Sequence, residues 1–386
     1  MKKLLFIIIH VLLLHEISAQ TFTQFITQVN SSDKIVKQNV IDSFMTATKQ
    51  FPITEDSLAH FIYQGVGNKV SIGGDFNNWN PRNGQMTNVI GTNLWHRTEI
   101  FKNNSRLEYK IVIDETSWIL DELNTLSSKG GFGVNSEIRM PKFISPEEIK
   151  YFSNILHGTI KDTVLFSKQL DNTRKITIYL PPKYSESNDF YPVILVHDGE
   201  EYLRIAKMNN ILDFLISRKM IQPVIAVFVP GVNRSAEYLD KDVKRYTTFI
   251  IEEVMQMVDS KFRTKELPDD RLVMGSSAGA NIALWIAMNH FDSFGNVGAF
   301  SPYIKADIIE HFQNSKKMNL KLFILHGSYD HLPQIHSSVN NFTKVLDNKS
   351  YKYNYLELPE SHNYGFWRAY IDDLLIYSFP YDPTSY

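Results

Sequence analysis

The sequence contains no cysteine among its 386 residues, which excludes disulfide bonds and a cysteine-linked lipid anchor. It also has no excess of either charge, because 40 Lys and Arg stand against 42 Asp and Glu. There is therefore no overall basic surface for nucleic acid and no general attraction to anionic membranes. Apolar residues make up 43% of the chain and aromatic residues 13%, which is typical of a globular protein with sizeable cores, and the length favours two domains.

The first 19 residues have the pattern of a secretory signal peptide. A basic start, Met1-Lys2-Lys3, precedes an apolar run over residues 4–14 and small residues at Ser18 and Ala19. The run is too short to span a membrane as a stable helix, and no later run is longer, so we expect cleavage after Ala19 and no stable membrane insertion afterwards. The predicted location is secreted or periplasmic, with an uncleaved N-terminal anchor as the alternative.

The rest of the chain changes pattern twice. Segment 20–53 has apolar residues at helical spacing. Segment 54–150 has short alternating strands between turns rich in Gly, Asn, Asp and Pro, which predict an antiparallel β-sandwich. The glycines and Pro141 of its last part, 119–144, suit a domain boundary, and this part resembles the linker segment that follows the sandwich in enterochelin-esterase-like proteins. Segment 151–386 alternates apolar strands with amphipathic stretches, which predict a mostly parallel sheet covered by helices on both faces.

One turn in the last segment predicts a nucleophile. An apolar strand over residues 271–274 leads directly into Gly275-Ser276-Ser277-Ala278-Gly279 and then into a helix. Gly-x-Ser-x-Gly in this context is the sequence form of a nucleophile elbow, in which bulky residues two places before or after the serine would collide. Ser277 is therefore the candidate nucleophile, and the predicted fold is that of the α/β hydrolases. The N–H of Ala278 is one candidate donor to the oxyanion.

Hydrolases of this fold place an acid and then a histidine after the nucleophile in the chain. His362 is the candidate base because it lies in a late loop between a strand and the terminal helix. Asp330, which follows the preceding strand, is the candidate acid. Glu360 competes with it because it lies two residues from His362, and a serine–histidine pair without an effective acid stays open. Neither a metal nor a cofactor is expected, because the histidines near Asp330 match no known ligand spacing.

Several segments of the chain resemble parts of known protein families. The turn Gly73–Pro81 resembles the early-set immunoglobulin-like domains attached to glycan-active enzymes and to enterochelin esterases. In some such relatives the tryptophan equivalent to Trp79 helps to hold a sugar; alternatively, Phe76 and Trp79 anchor the turn onto their own sandwich. The segment around His362 resembles the Gly-Gly-His-x-x-x-x-Trp motif of the esterase D family, with Ser361 in place of a glycine.

The loop His197-Asp198-Gly199-Glu200-Glu201 resembles the Leu-Asp-Gly-x segment of the same family, which implies the N–H of Glu200 as the second oxyanion donor and a structural role for Asp198. Over residues 55–386 the chain is similar to an enterochelin-esterase-like member of the esterase D family. The residues alone predict hydrolysis of a carboxylic ester through an acyl-enzyme on Ser277.

The resemblance implies the kind of substrate, a small-molecule or glycan-linked ester. A bulky aromatic acyl ester such as a catecholate siderophore is favoured; a feruloyl or acetyl ester on plant polysaccharide is the alternative, and a glycan-binding protein with an inactive hydrolase domain is a third possibility. The predicted substrate-binding residues are Arg234, Tyr202 and Trp367. Further cationic and aromatic candidates are Arg204, Lys207, Tyr238, Tyr303 and Tyr329.

Overall fold

A computed structural model describes residues 21–131 and 133–383. The predicted signal segment, residues 1–19, lies outside these ranges. Within them, no helix combines the length and the apolar character that crossing a membrane would require.

Two helices precede the first sheet. Helix α1 spans Phe22–Ser31 and α2 spans Lys34–Ala47. Thr21 caps α1 by accepting a hydrogen bond from the N–H of Gln24, and Asp33 caps α2 in the same way. Their apolar sides pack on the outer face of a β-sheet, where Ile62 and Leu94 belong to the same hydrophobic cluster as the helices.

The sheets of the N-terminal part form a β-sandwich. The strands are β1 Ile53–Glu55, β2 Leu58–Gln64, β3 Val70–Gly74, β4 Thr87–Asn88, β5 Leu94–Ile100, β6 Arg106–Ile113, β7 Ser117–Ile119, β8 Ser127–Gly130 and β9 Gly133–Arg139. One sheet has the order β1-β2-β5-β4, and the other has the order β3-β6-β9-β8 with β7 beside β6. The pairings are antiparallel. Side chains from both sheets, including Phe61 and Tyr109, form the core between them.

The prediction of a linker over residues 119–144 is wrong for most of that segment. Strands β8 and β9 form a hairpin, and β9 pairs with β6 from Arg106 to Tyr109. Ser136, Glu137 and Ile138 are buried by this pairing. Glycine content suggested a linker, but the hydrogen bonds of the hairpin outweigh the low strand propensity of glycine.

The C-terminal part is built on one eight-stranded sheet. Its strands are β10 Thr159–Ser167, β11 Asn172–Leu180, β12 Val193–His197, β13 Ile225–Val229, β14 Arg271–Ser276, β15 Asn296–Phe300, β16 Lys321–Gly327 and β17 Lys352–Leu358. The order is β10-β11-β13-β12-β14-β15-β16-β17. The first two pairings, β10 with β11 and β11 with β13, are antiparallel, and all the others are parallel.

Helices cover both faces of this sheet. They are α3 Gly199–Arg204, α4 Met208–Ser217, α5 Arg234–Leu239, α6 Val243–Thr248, α7 Gln256–Lys261, α8 Ala278–Asn289, α9 Ala306–Asn314, α10 Pro333–Asn348, α11 Tyr364–Arg368 and α12 Ile371–Ser378, with a π-helical stretch, Phe249–Met255, between α6 and α7. Along β12, Val193 and Leu195 belong to the core on one face, whereas Ile194 and Val196 belong to the core on the other. This arrangement confirms the predicted α/β-hydrolase fold. The domain boundary near residue 150 stays a prediction.

Candidate active site

Ser277 lies on a sharp turn between β14 and α8. Its backbone angles, φ 56° and ψ −119°, belong to a region that residues with a side chain rarely occupy. A Cβ atom at Gly275 would lie 2.5 Å from the carbonyl carbon of Gly279, and one at Gly279 would lie 3.0 Å from an oxygen of Asp198. Close backbone approach therefore requires glycine at position 275, whereas a side chain at position 279 would crowd the carboxylate of Asp198. The half-buried serine between them is held at the end of its strand.

His362 and Asp330 are joined by a hydrogen bond. His362 Nδ1 lies 2.7 Å from Asp330 Oδ2, and the N–H of Leu332 donates to the other carboxylate oxygen over 3.0 Å. Burial alone would raise the pKa of Asp330, but the hydrogen bond and the charge of His362 outweigh it and lower the pKa. The ionised carboxylate accepts a hydrogen bond from the Nδ1–H group of His362, so the proton stays on Nδ1 and Nε2 keeps its lone pair.

The parallel strands explain why these residues lie at one edge of the sheet. Ser277 directly follows β14, Asp330 lies three residues after β16, and His362 lies four residues after β17. The carboxyl ends of parallel strands meet at one edge, which is where open α/β sheets carry their sites. Residues that are far apart in the sequence are thereby brought to one side of the molecule.

Glu360, the competing acid, points away from this edge. Its side chain is 1% exposed and faces the sandwich, where the nearest cation is Arg106, with Nη1 3.7 Å from Glu360 Oε2. Neither carboxylate oxygen has a hydrogen-bond partner among the described residues. Burial raises the pKa of Glu360 to about 8, because the attraction of Arg106 only partly offsets it. A carboxyl group that is mostly protonated at pH 7 is poorly suited to stabilising an imidazolium ion.

The N–H groups of Ala278 and Glu200, the predicted oxyanion donors, lie at the starts of two helices. Ala278 and Glu200 lie in the first turns of α8 and α3, whose N–H groups have no partner within the helix. The preceding strands, β14 and β12, are neighbours in the sheet, so both helix starts lie at the same edge. A Cβ atom at Gly199 would lie 2.5 Å from Phe228, so only glycine allows α3 to begin so close to β13.

Asp198 ties the loop after β12 to the elbow. It is held by Arg234, whose Nε lies 3.0 Å from both carboxylate oxygens and whose Nη2 lies 2.9 Å from Oδ2. The same Nη2 donates to the carbonyl oxygen of Ser276 over 3.2 Å. The charge of Arg234 is thus largely neutralised by Asp198, although 43% of its side chain remains exposed. The guanidinium group connects the two loops and is only partly available to a substrate.

The prediction that Tyr202 binds the substrate is wrong. Its side chain is 0% exposed, because α3 turns it into the core against the ring of Tyr364, at a centroid distance of 5.8 Å. Tyr238, a further aromatic candidate, is equally buried. Apolar spacing alone does not tell which side of a one-and-a-half-turn helix faces the sheet.

Trp367 also lies away from solvent, with 5% of it exposed. Its Nε1 donates to Ser301 Oγ over 3.0 Å, and its ring meets the His362 ring edge-on at 5.1 Å. We therefore correct the prediction: Trp367 contacts the candidate base, His362, rather than the substrate. Sequence reasoning missed Ser301, whose only signal is its position just after β15. Among the aromatic candidates Tyr303 stays half-buried, and its N–H donates to the carbonyl oxygen of Ser277 over 3.3 Å.

Comparison with solved structures supports the two-part architecture. The enterobactin esterase of Shigella flexneri, solved in the presence of enterobactin, is similar with a TM-score of 0.70 and 18% identity, over 87% of this chain and 97% of that one. The ferulic acid esterase of Anaeromyces mucronatus, solved without substrate, has a TM-score of 0.51 and 18% identity, over 61% of this chain and 96% of that one. At these identities the likeness shows the fold.

The sequence itself also has relatives. An uncharacterized protein of Bacillus subtilis (strain 168), YjcH, is 26% identical over 234 residues, which are 57% of this chain and 97% of that protein. The model of the family described as "Putative esterase" matches residues 167–375, more than half of the chain and the part that contains Ser277, Asp330 and His362. The chain therefore belongs to this esterase family, and it is an ester hydrolase with an α/β-hydrolase domain.

Proposed function

We propose that the protein is a serine hydrolase of carboxylic esters that forms an acyl-enzyme on Ser277. The observation that carries the proposal is the 2.7 Å hydrogen bond between His362 and Asp330, at the sheet edge where the strained turn presents Ser277. A histidine whose Nδ1 is engaged by a buried carboxylate offers Nε2 as a base.

The reaction follows from these positions. Nε2 of His362 takes the proton from Ser277 Oγ while the oxygen attacks the ester carbonyl carbon. The N–H groups of Ala278 and Glu200 stabilise the negative oxygen of the tetrahedral intermediate. The imidazolium then gives its proton to the departing alcohol, which leaves the acyl group on Ser277. Water, activated by the same imidazole, releases the acid and restores the serine.

Asp330→Asn should lower kcat/KM strongly, although about ten- to a hundred-fold less than loss of the serine, because it disturbs the imidazole but leaves the nucleophile and the base in place. Glu360→Gln should change the rate little, since that carboxyl group is already mostly neutral and has no contact with the base. Steady-state kinetics on a p-nitrophenyl ester compare the two variants.

A larger loss in Glu360→Gln than in Asp330→Asn would overturn the assignment of the acid. Near-wild-type rates in both variants would indicate a serine–histidine pair that works without an acid. The pKa of Asp330 is lowered, so its carboxylate stays ionised at neutral pH in the wild type and in Glu360→Gln. An assay at neutral pH therefore compares both variants with an enzyme whose acid is ionised.

We further propose that the substrate is a bulky aromatic acyl ester of the catecholate-siderophore type, and that the protein is secreted or periplasmic. The match to enterobactin esterase extends over 87% of the chain and includes the sandwich, whereas the match to ferulic acid esterase covers 61%. Exposed Arg204 and Lys207, at the end of α3 and just after it, supply positive charge near the oxyanion loop, which suits an anionic ester. The signal-like pattern of residues 1–19 supports export.

A side-by-side assay of residues 20–386 on a catecholate triester, methyl ferulate and acetylated xylan tests the choice of substrate. We expect the highest kcat/KM on the triester. A higher value on methyl ferulate would favour a feruloyl esterase, and activity on acetylated xylan alone would also refute the preference for an aromatic acyl group. Arg204→Gln should raise KM for the triester but not for methyl ferulate, because only the triester carries several ionisable catechol groups.

A further inference from the structure

The loop that carries His362 is attached to the N-terminal sandwich through the next residue, Asn363. Oδ1 of Asn363 accepts a hydrogen bond from Nη1 of Arg106 over 2.9 Å and another from the N–H of Phe366 over 3.0 Å. Nδ2 of Asn363 donates to Oδ2 of Asp75 over 3.3 Å. One amide group therefore joins two residues of the sandwich to the start of helix α11.

Arg106 is itself held rigidly. Its side chain is 2% exposed, Nε donates to Glu137 over 2.7 Å, and Nη2 donates to Glu108 over 2.8 Å. On the other side the guanidinium group contacts the helix backbone, since a Cβ atom at Gly365 would lie 2.0 Å from Nη2. A buried guanidinium group that makes several hydrogen bonds has little freedom to move, so its hydrogen bond to Asn363 has a fixed direction.

Asp75 is fixed from the sandwich side as well. Its Oδ1 accepts from Nε1 of Trp79 over 3.0 Å, and its Oδ2 accepts from the N–H of Glu108 over 2.8 Å. The turn that resembles glycan-binding domains thus places its aspartate at the contact with the hydrolase domain. Trp79 lies outside that contact and stacks beside Trp118.

The loop of the candidate acid is joined to the same assembly. The N–H of Tyr329, next to Asp330, donates to the carbonyl oxygen of Glu360 over 3.0 Å, and Ser361 Oγ donates to the carbonyl oxygen of Tyr329 over 3.0 Å. The ring of Tyr329 meets Phe101 of the sandwich edge-on at 6.2 Å. The two loops are therefore connected to each other as well as to the sandwich.

We propose that Asn363 is a positioning residue, through which Arg106 and Asp75 of the sandwich hold His362 in its reactive orientation. The proposal rests on the serine mechanism given above. Asn363 fixes the backbone beside His362, and by capping α11 it also fixes Trp367, whose ring lies against the imidazole. A displacement of about 1 Å in a catalytic group can cost about a hundred-fold in rate, so the sandwich contributes to turnover independently of any ligand it binds.

The variant Asn363→Ser separates this role from simple helix capping. Serine is also a good N-cap residue, but its shorter side chain reaches neither Arg106 nor Asp75. In the full chain we expect kcat on p-nitrophenyl butyrate to fall by about ten- to a hundred-fold, with KM changed by less than about threefold. The labelling rate per active site identifies a misplaced base, because general loss of folded protein would also lower the apparent kcat with KM unchanged, but would alter neither the pH profile nor the rate of labelling per active site.

Arg139→Gln is the matched control. Arg139 lies opposite Arg106 in the pairing of β6 with β9 and forms an ion pair with Glu137, which also binds Arg106. Among the described residues, however, it makes no hydrogen bond or ion pair with residues 360–368. Its kcat should stay within about twofold of the wild type. The labelling rate of each variant by a fluorophosphonate, measured by mass spectrometry of the peptide that contains Ser277, reports the reactivity of the serine directly.

Wild-type kcat in Asn363→Ser would overturn the proposal, and so would an equal fall in Arg139→Gln. If Asn363→Ser does not fold, Asp75→Ala decides the matter: it removes the carboxylate that accepts from the amide of Asn363 but leaves the loop of His362 unaltered, and an unchanged kcat there would overturn the proposal. A double variant of Asp75 and Asn363 should lose no more than the worse single variant, as expected for one coupled unit. Failure of the wild type to be labelled at Ser277 would instead refute the serine mechanism itself.

Discussion

Ser277→Ala should reduce the hydrolysis of a short p-nitrophenyl ester by roughly 10³-fold or more, because the activated nucleophile is lost and only the oxyanion donors remain. The fold should persist, since alanine fits wherever serine does and the backbone strain at φ 56° is the same for both residues. Steady-state kinetics measure the effect, and circular dichroism with a thermal melt verifies that the variant is folded.

Ser276→Ala is the matched control for this experiment. Ser276 precedes the nucleophile, but its side chain is fully buried and therefore cannot reach a substrate. We expect activity within a few-fold of the wild type. Retention of more than about a tenth of wild-type activity in Ser277→Ala would exclude the serine mechanism, whatever the control does.

A fluorophosphonate probe adds a test that needs no knowledge of the substrate. It should label the wild type and Ser276→Ala on the peptide that contains Ser277, and it should not label Ser277→Ala, because the reagent requires an activated serine. An unlabelled but folded wild type would favour the remaining alternative, a glycan-binding protein whose hydrolase domain is inactive.

His362→Ala should cost about as much as Ser277→Ala, because nucleophile and base act as a unit and the serine hydroxyl alone is a poor nucleophile. The structural reason is the position of the imidazole, which is bonded to Asp330 on one side and bordered by Trp367 on another. The measurement is kcat/KM together with the rate of fluorophosphonate labelling, and both should fall in parallel if His362 activates Ser277.

His331 provides the comparison, since its ring lies 5.9 Å from that of His362 and it is the competing imidazole at this edge. It has no hydrogen bond to Asp330, so no carboxylate orients it as a base. Burial also lowers its pKa. His331→Ala should therefore keep activity within about tenfold. If it were more harmful than His362→Ala, the base would have been assigned to the wrong histidine.

Much of the site could be predicted because its constraints are local. A side chain at Gly275 would collide with the backbone of Gly279, only four residues away, so this part of the motif is visible in a short window of sequence. The positions of Asp330 and His362 also follow from a rule of chain order, since each lies in a loop after a strand that can be recognised in the sequence. The same local reasoning failed for residues 119–144, where pairing with a distant strand overrides glycine content.

The sequence by itself determined the fold class, the nucleophile turn and the order of the candidate triad, because strand periodicity and turn sterics act over a few residues. Only the tertiary structure decided which carboxylate meets His362, since Glu360 and Asp330 are both near enough in principle and the packing of the loop turns Glu360 toward the sandwich. It also decided that Tyr202 is buried and that Asn363 meets Arg106, 257 residues away in the chain. The contact between Asn363 and Arg106 depends on how the sandwich packs against the α/β part, and no spacing within either part encodes it.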